Sequence, residues 1–273
     1  MKNQSEIETW NGVVGERWAT LQELFDQRFR VFGLDVLAAA DLRAGERVLD
    51  VGAGCADMTM DAAGRVGESG HVVGVDVSRP MLTRGRERAR DLPNLELIEH
   101  DASTFVPDAP FDVIVSRFGV MFFDEPAPAF TNIRSAAKPG ARLAFVCWQE
   151  LAKNPWAAVP LEAVLRVVAA KPTGAPGAPG PFAFADPARI RDVLGQAGWS
   201  NVAIAPAAHL VTLGATLEEA AVFSSRIGPA ARAVHDAGAA LQTPVMAAMR
   251  EALAPHAPSF ALEGTVWIVT ASA

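Results

Sequence analysis

The sequence contains no tyrosine, which removes the phenol from the side chains available for proton transfer. It has only two cysteines, Cys55 and Cys147, far apart and outside any Cys-x-x-Cys or Cys/His grouping. Neither a disulfide framework nor a zinc site is expected from them, no other metal-ligand cluster is visible, and a reducing cytoplasm fits best. Basic residues are in the minority, 24 Lys and Arg against 31 Asp and Glu, for a net charge of −7. Proteins that bind by neutralising phosphates concentrate Lys and Arg, so nucleic acid is not expected as a main partner. Long apolar runs are missing too. Residues 199–217 carry no charge, yet Asn201, Pro206 and His209 interrupt them, which reads as a buried strand with its flanks, so no stable membrane insertion is expected. The opening residues, MKNQSEIETWNG, lack the charged-then-apolar order of an export signal.

What is present is apolar and patterned. Half of the 273 residues are hydrophobic and 20% are charged, with a mean hydropathy of +0.18, the composition of a chain that buries a core. Trp18, Leu21, Leu24, Phe25, Phe29 and Phe32 recur at three- and four-residue spacings, predicting one or two amphipathic helices ahead of the core. RVLDVGAG then reads as a strand ending in glycines, with a helix from Met58 to Val66. HVVGVDVS followed by PMLTRGRERARDL repeats strand and helix, with Pro80 near the helix start. LELIEHD, FDVIVSRF and ARLAFVCW supply three more strands, the last introduced by Lys138-Pro139-Gly140 as a breaker. Strands alternating with helices predict an α/β protein with a mostly parallel, covered sheet. The Gly- and Pro-rich segment 171–187 reads as a mobile loop or lid, with residues 172–181 as a gate, and two more strands, 202–213 and 265–271, flank helical sequence. Residues 1–44 are thus a helical leader or cap and 45–150 a cofactor-binding core. Residues 151–273 are the C-terminal part of the same domain, with a lid loop, a helical insertion and the last two strands.

The chemistry concentrates at strand ends. Asp50-Val51-Gly52-Ala53-Gly54 puts glycines at a strand-to-helix turn, where backbone can approach a ligand and the helix offers free amides. Asp76 closes the second strand, where a carboxylate meets the hydroxyls of a ribose. A dinucleotide motif wants a third glycine where Asp57 stands, and a carboxylate there is expected to repel a pyrophosphate. Asp50 suits a ligand with an ammonium group, and Asp101 at the end of the third strand can accept from an adenine amino group. S-adenosyl-L-methionine has adenine, ribose and an amino-acid end, and no phosphate.

On VLDVGAG, GVDVS, HDA, FDVIVSRFGVMFF and KPGARLAFVCW, the chain resembles the class I S-adenosylmethionine-dependent methyltransferases, of the small-molecule type related to ubiquinone/menaquinone-biosynthesis enzymes. The resemblance runs firmly from about residue 45 to 150, and Ala56 departs from it where the family often has glycine. It implies a Rossmann-like seven-stranded, mostly parallel sheet with helices on both faces, N-terminal helices and helical cap insertions, the last two strands including one antiparallel. It also implies that Asp50, Gly52 and Gly54 hold the methionine portion, Asp76 the ribose, Val77 and Met81 the adenine faces, and Asp101 with Ala102 the adenine edge. Ser116 and the leader's Trp18 complete the expected cofactor contacts.

On the substrate side, Ser116-Arg117-Phe118 lacks the Asn/Asp-Pro-Pro-aromatic tetrad of many base methylases. Arg117 can pair with an anion or form a structural ion pair, and Phe118 and Phe122 can line an apolar pocket or pack as core. No catalytic base is assigned: His100 reads as structural, and nothing selects among His209, His235 and His256. The expected reaction is methyl transfer to an oxygen, nitrogen or carbon of a small, largely apolar metabolite, yielding S-adenosylhomocysteine. A nicotinamide-dependent oxidoreductase and a non-catalytic S-adenosylmethionine-binding module are the alternatives, and the oligomeric state stays open.

Overall fold

The computed structural model describes residues 3–168 and 177–273. Half of the proposed gate, residues 172–176, therefore lies outside the described residues. The chain divides into two compact units, one formed by Met1–Cys147, Pro179–Pro206 and Trp267–Ala273, the other by Trp148–Ala178 and Ala207–Val266.

In the first unit three helices precede the sheet: α1 (Gln4–Asn11), α2 (Val13–Thr20) and α3 (Gln22–Ala40). The sequence pattern suggested one or two, because the break at Leu21 does not interrupt the apolar spacing. The inward stripe of α3, Phe25, Phe29, Phe32, Val36 and Leu37, is buried, each side chain contributing about 1.5–3 kcal/mol on leaving water. The alternation then runs β1 (Arg47–Val51), α4 (Asp57–Val66), β2 (His71–Asp76), α5 (Arg79–Ala89), β3 (Leu95–Glu99), β4 (Phe111–Arg117), α6 (Pro126–Ser135) and β5 (Ala137–Trp148). After β5 come α7 (Pro155–Leu165), α8 (Pro187–Gln196), β6 (Ser200–Thr212), α9 (Leu217–Ser224), α10 (Gly228–Ala237), α11 (Gln242–Leu253) and β7 (Ala261–Ser272).

The seven strands form one sheet in the order β3-β2-β1-β4-β5-β7-β6. β2 pairs with β3, β1 with both β2 and β4, and β4 with β5, all parallel. β7 is the reversed strand: Gly140 N–H donates to the Ala273 carbonyl near one end of β5, and Gln149 N–H to that of Thr265 beyond the other. Lys138-Pro139-Gly140 does not precede β5 but lies inside it. Phe111 faces Ala137 while Val113 faces Arg142, so the tripeptide bulges out of the ladder, where proline's missing N–H costs nothing and Gly140 takes φ +75°. β6 also departs from expectation: it is an edge strand, largely exposed apart from Val211, with Leu210 69% exposed. Its uncharged composition suggested burial, but only its position in the sheet decides that.

Helix α3 packs on β4, α4 on β2, and α5 on β3. In the second unit α10 and α11 pack on α7, and α11 on α9. Its Trp148 and Trp156 rings lie 4.8 Å apart, and buried Asn154 accepts from the Trp156 indole and from Thr265 N–H. Among the described residues, no helix is long and apolar enough to cross a membrane.

Candidate functional site

The sheet order reverses between β1 and β4, and open α/β sheets bind ligands at the carboxyl ends beside such a point. The two strands meet there through glycines. Gly52 takes φ +77°, and a Cβ on it would lie 2.7 Å from the Gly119 Cα; a Cβ on Gly119 would lie 2.5 Å from the Val51 carbonyl oxygen. Ser116, fully buried, donates to that carbonyl at 2.6 Å and accepts from Gly119 N–H. Its hydroxyl is thus spent on joining the two loops, a structural task the sequence did not indicate.

Asp50, 1% exposed, accepts from Thr59 Oγ1 at 2.7 Å through Oδ2. Its Oδ1 is buried with no hydrogen-bond partner. Burial pushes its carboxyl up to about 7; the Thr59 hydrogen bond and the Arg117 charge oppose this, while Asp76 and Asp57 add to it. An orphaned buried carboxylate oxygen is costly unless something supplies a donor, and the ammonium of an amino acid is such a donor.

Gly54, at φ +55°, donates its N–H to Asp76 Oδ2 at 2.8 Å, and Ser78 N–H donates to Asp76 Oδ1. Asp76 therefore clasps the glycine loop to the end of β2; burial raises its pKa against the backbone hydrogen bonds from Ser78, Gly54 and Val77. Met81, buried on α5, reaches the loop: a Cβ on Gly54 would lie 2.8 Å from its Cε. Ala56, where the resemblance favours glycine, is left-handed at φ +67° and heads α4.

The leader supplies contacts that the motifs did not show. Asn11 donates to the Val77 carbonyl at 2.7 Å and accepts from Arg79 N–H, capping α5 from outside, while Ser78 Oγ donates to the Trp10 carbonyl. Asn3 donates to Asp101 Oδ2 at 2.8 Å, and Ser103 N–H donates to Asp101 Oδ1. Ala102, also buried, offers its carbonyl to Asn132 at 3.0 Å. No periodicity announces Asn3 or Asn11, because their partners outside the leader lie 66 to 121 positions away.

Arg117 is engaged by protein. It meets Asp57 at 2.8 Å, and Arg30 holds the other oxygen of Asp57 at 2.8 Å. Arg88 pairs with Asp26 and donates to the Cys55 carbonyl. The structural ion pair is thus the arrangement found for Arg117. The expected repulsion of a pyrophosphate by Asp57 loses its basis too, since two guanidiniums compensate a carboxylate that the sequence left bare. Phe118 is left-handed at φ +62°, a conformation that costs a non-glycine residue on the order of 1–3 kcal/mol. Its N–H donates to the Val146 carbonyl, and its ring meets Phe32 at 5.5 Å and Phe29 at 6.3 Å. Phe122 stands edge-on to Trp10 at 5.3 Å, Trp10 to Trp18 at 6.0 Å, and Trp18 lies 4.2 Å from Phe25. An aromatic arc thus runs from the leader to the loop after β4.

Residues 48–140 match the family profile of a methyltransferase domain. Over 118 residues the chain is 34% identical to the ubiquinone/menaquinone biosynthesis C-methyltransferase UbiE of Yersinia enterocolitica, covering 42% of this chain and 47% of that protein. The Proteus mirabilis UbiE is 35% identical over the same shares. The chain thus spans about half the length of the curated relatives it matches. A solved structure of Haemonchus contortus phosphoethanolamine N-methyltransferase 2 with phosphomonomethylethanolamine and S-adenosylhomocysteine superposes at TM-score 0.59, with 16% identity, over 100% of this chain and 60% of that one. The [4+2]-cyclase SpnF superposes at 0.53, with 21% identity, over 89% and 80%. These structures share the fold.

Proposed function

We propose that this chain, whose residues 48–140 match a methyltransferase-domain profile, is an S-adenosylmethionine-dependent methyltransferase of the class I fold related to the UbiE enzymes and methylates a small, largely apolar metabolite. The observation that carries the cofactor part is the orphaned Asp50 Oδ1, two residues before the Gly52–Gly119 backbone contact. A fixed, dry acceptor with no partner suits an ammonium, and the close backbone contact of Gly52 with Gly119 leaves no room for a side chain on either glycine.

In this reading Asp50, Gly52 and Gly54 hold the amino-acid end, and Asp76 takes the ribose hydroxyls. Val77 and Met81 flank the adenine, and Asp101 with Ala102 meets its edge. S-adenosylmethionine, when bound, supplies an electrophilic methyl group on a sulfonium. The protein's part is alignment and dryness: ordering two reactants is worth about 7–11 kcal/mol in favourable cases. Phe118, Phe122, Trp10 and Trp18 form the apolar side on which a hydrophobic acceptor would rest, excluding water. With no tyrosine in the chain and Arg117 tied to Asp57, the acceptor would be an oxygen, nitrogen or carbon that is already nucleophilic. It gains the methyl group, loses a proton to solvent, and leaves S-adenosylhomocysteine.

The test is incubation of the protein with methyl-labelled S-adenosylmethionine and fractionated cell extract. Label in the organic-soluble fraction supports the reading. Label confined to RNA or protein overturns the acceptor class, and absence of binding by calorimetry overturns the cofactor.

A further inference from the structure

We propose that the leader is a gate over the nucleoside end of the site, latched by Asn3 to Asp101 and Asp124; this rests on the cofactor reading above. Asn3, 5% exposed, makes four hydrogen bonds with residues far along the chain. Its backbone N–H donates to Asp124 Oδ2 and its Oδ1 accepts from Asp124 N–H, each at 2.7 Å, a reciprocal pair. Its Nδ2 donates to Asp101 Oδ2 at 2.8 Å and to Ser103 Oγ at 3.2 Å. The left-handed backbone of Asn3, φ 55° and ψ 16°, allows one residue to present both faces of its amide to two loops.

From this latch α1 crosses to the end of β2, where Trp10 and Asn11 are bonded to Ser78, Val77 and Arg79. The chain then turns tightly into α2: a Cβ on Gly15 would lie 1.8 Å from the Trp10 carbonyl oxygen and 2.7 Å from Ser78 Oγ. The leader is fastened at two points, and between them lie the carboxyl ends of β2 and β3, which would hold ribose and adenine. The fastenings differ in kind. The Trp10–Asn11 end is packed under α2, whereas the Asn3 end is a set of hydrogen bonds in which both partner carboxylates reach water, Asp124 being exposed and Asp101 half-buried. The Asn3 end is therefore the one that opens.

A gate and a contact differ kinetically. A residue that touches the ligand alters its release rate and its affinity together. A latch on a cover that closes with and without ligand alters entry and release by the same factor and leaves affinity nearly unchanged. The variants are Asp124→Ala, outside the cofactor residues, and Asn3→Gly, which keeps the left-handed backbone. Hydrogen exchange of residues 4–11 is measured in the ligand-free protein, and entry and release of S-adenosylhomocysteine by stopped-flow tryptophan fluorescence. Both variants are expected to exchange about 10-fold faster over residues 4–11, with association and dissociation rates both raised about 10-fold, the scale set by losing one or two charge-assisted hydrogen bonds. Unchanged exchange, or faster release with unchanged entry, overturns the gate. If the wild-type protein binds no S-adenosylhomocysteine, the cofactor reading fails and the gate with it, whereas a latch failure alone appears as normal binding with variant rates equal to wild type.

Discussion

Replacing Asp50 by asparagine isolates one buried ionisation. The carboxyl stands at about 7 in the folded protein against 3.8 for the ordinary group, chiefly because burial penalises the charge. The unfolded chain releases this proton near 3.8, and the folded chain holds it until about 7. The stabilisation from the held proton is therefore complete below the unfolded value and is lost as pH rises through the folded one. Between pH 6 and pH 8 that linkage amounts to about 1.4 kcal/mol in favour of pH 6. Asp50→Asn keeps the shape and removes the charge, so its stability should lack this component. Urea unfolding of both proteins at pH 6, 7 and 8 reads it directly: the wild-type curve should fall by about 1.4 kcal/mol more than the variant's. S-adenosylhomocysteine should flatten the wild-type dependence, because its ammonium would stabilise the carboxylate in the folded state. Parallel pH dependences for the two proteins would refute a proton held by Asp50.

Two further substitutions test the loop geometry. Asp76→Ala should weaken S-adenosylhomocysteine binding by about 1.5–3 kcal/mol in calorimetry and also lower the urea midpoint, because Gly54 and Ser78 lose their acceptor; an unchanged midpoint would show that those amides find water at no cost. Gly119→Ala should cost about 1–3 kcal/mol of stability and reduce ligand binding, since its Cβ meets backbone on two sides, at 2.5 Å from Val51 and 2.9 Å from Gly52; wild-type thermal stability would show that the backbone contact can widen.

Much of the parallel half of the sheet and the acidic strand ends could be read from one dimension. Apolar strands, glycine turns and helix starts are local signals, and Asp50, Asp76 and Asp101 sit where their strands stop. The departures arose where a local signal had a tertiary meaning. Lys138-Pro139-Gly140 breaks a ladder equally well as a boundary or as a bulge, and only the offset pairing with Phe111 and Val113 selects the bulge. An uncharged strand is interior or edge according to its neighbours, and β6 has one neighbour.

The sequence by itself determined which residue types stand at the ends of the strands, because a strand's end and its terminal side chain are set by neighbours a few positions away. Tertiary structure alone decided what those side chains face. Asp57 reads as a free anion until Arg30 arrives from α3 and Arg117 from β4; Arg117 reads equally as an anion partner or a structural ion pair, and Ser116 as a cofactor contact, until Asp57 and Val51 take them. Asn3 reads as nothing until folding brings Asp101 and Asp124 to it. The reason is physical: a buried charge or hydroxyl must find a partner, and the chain can supply that partner from any distance along its length.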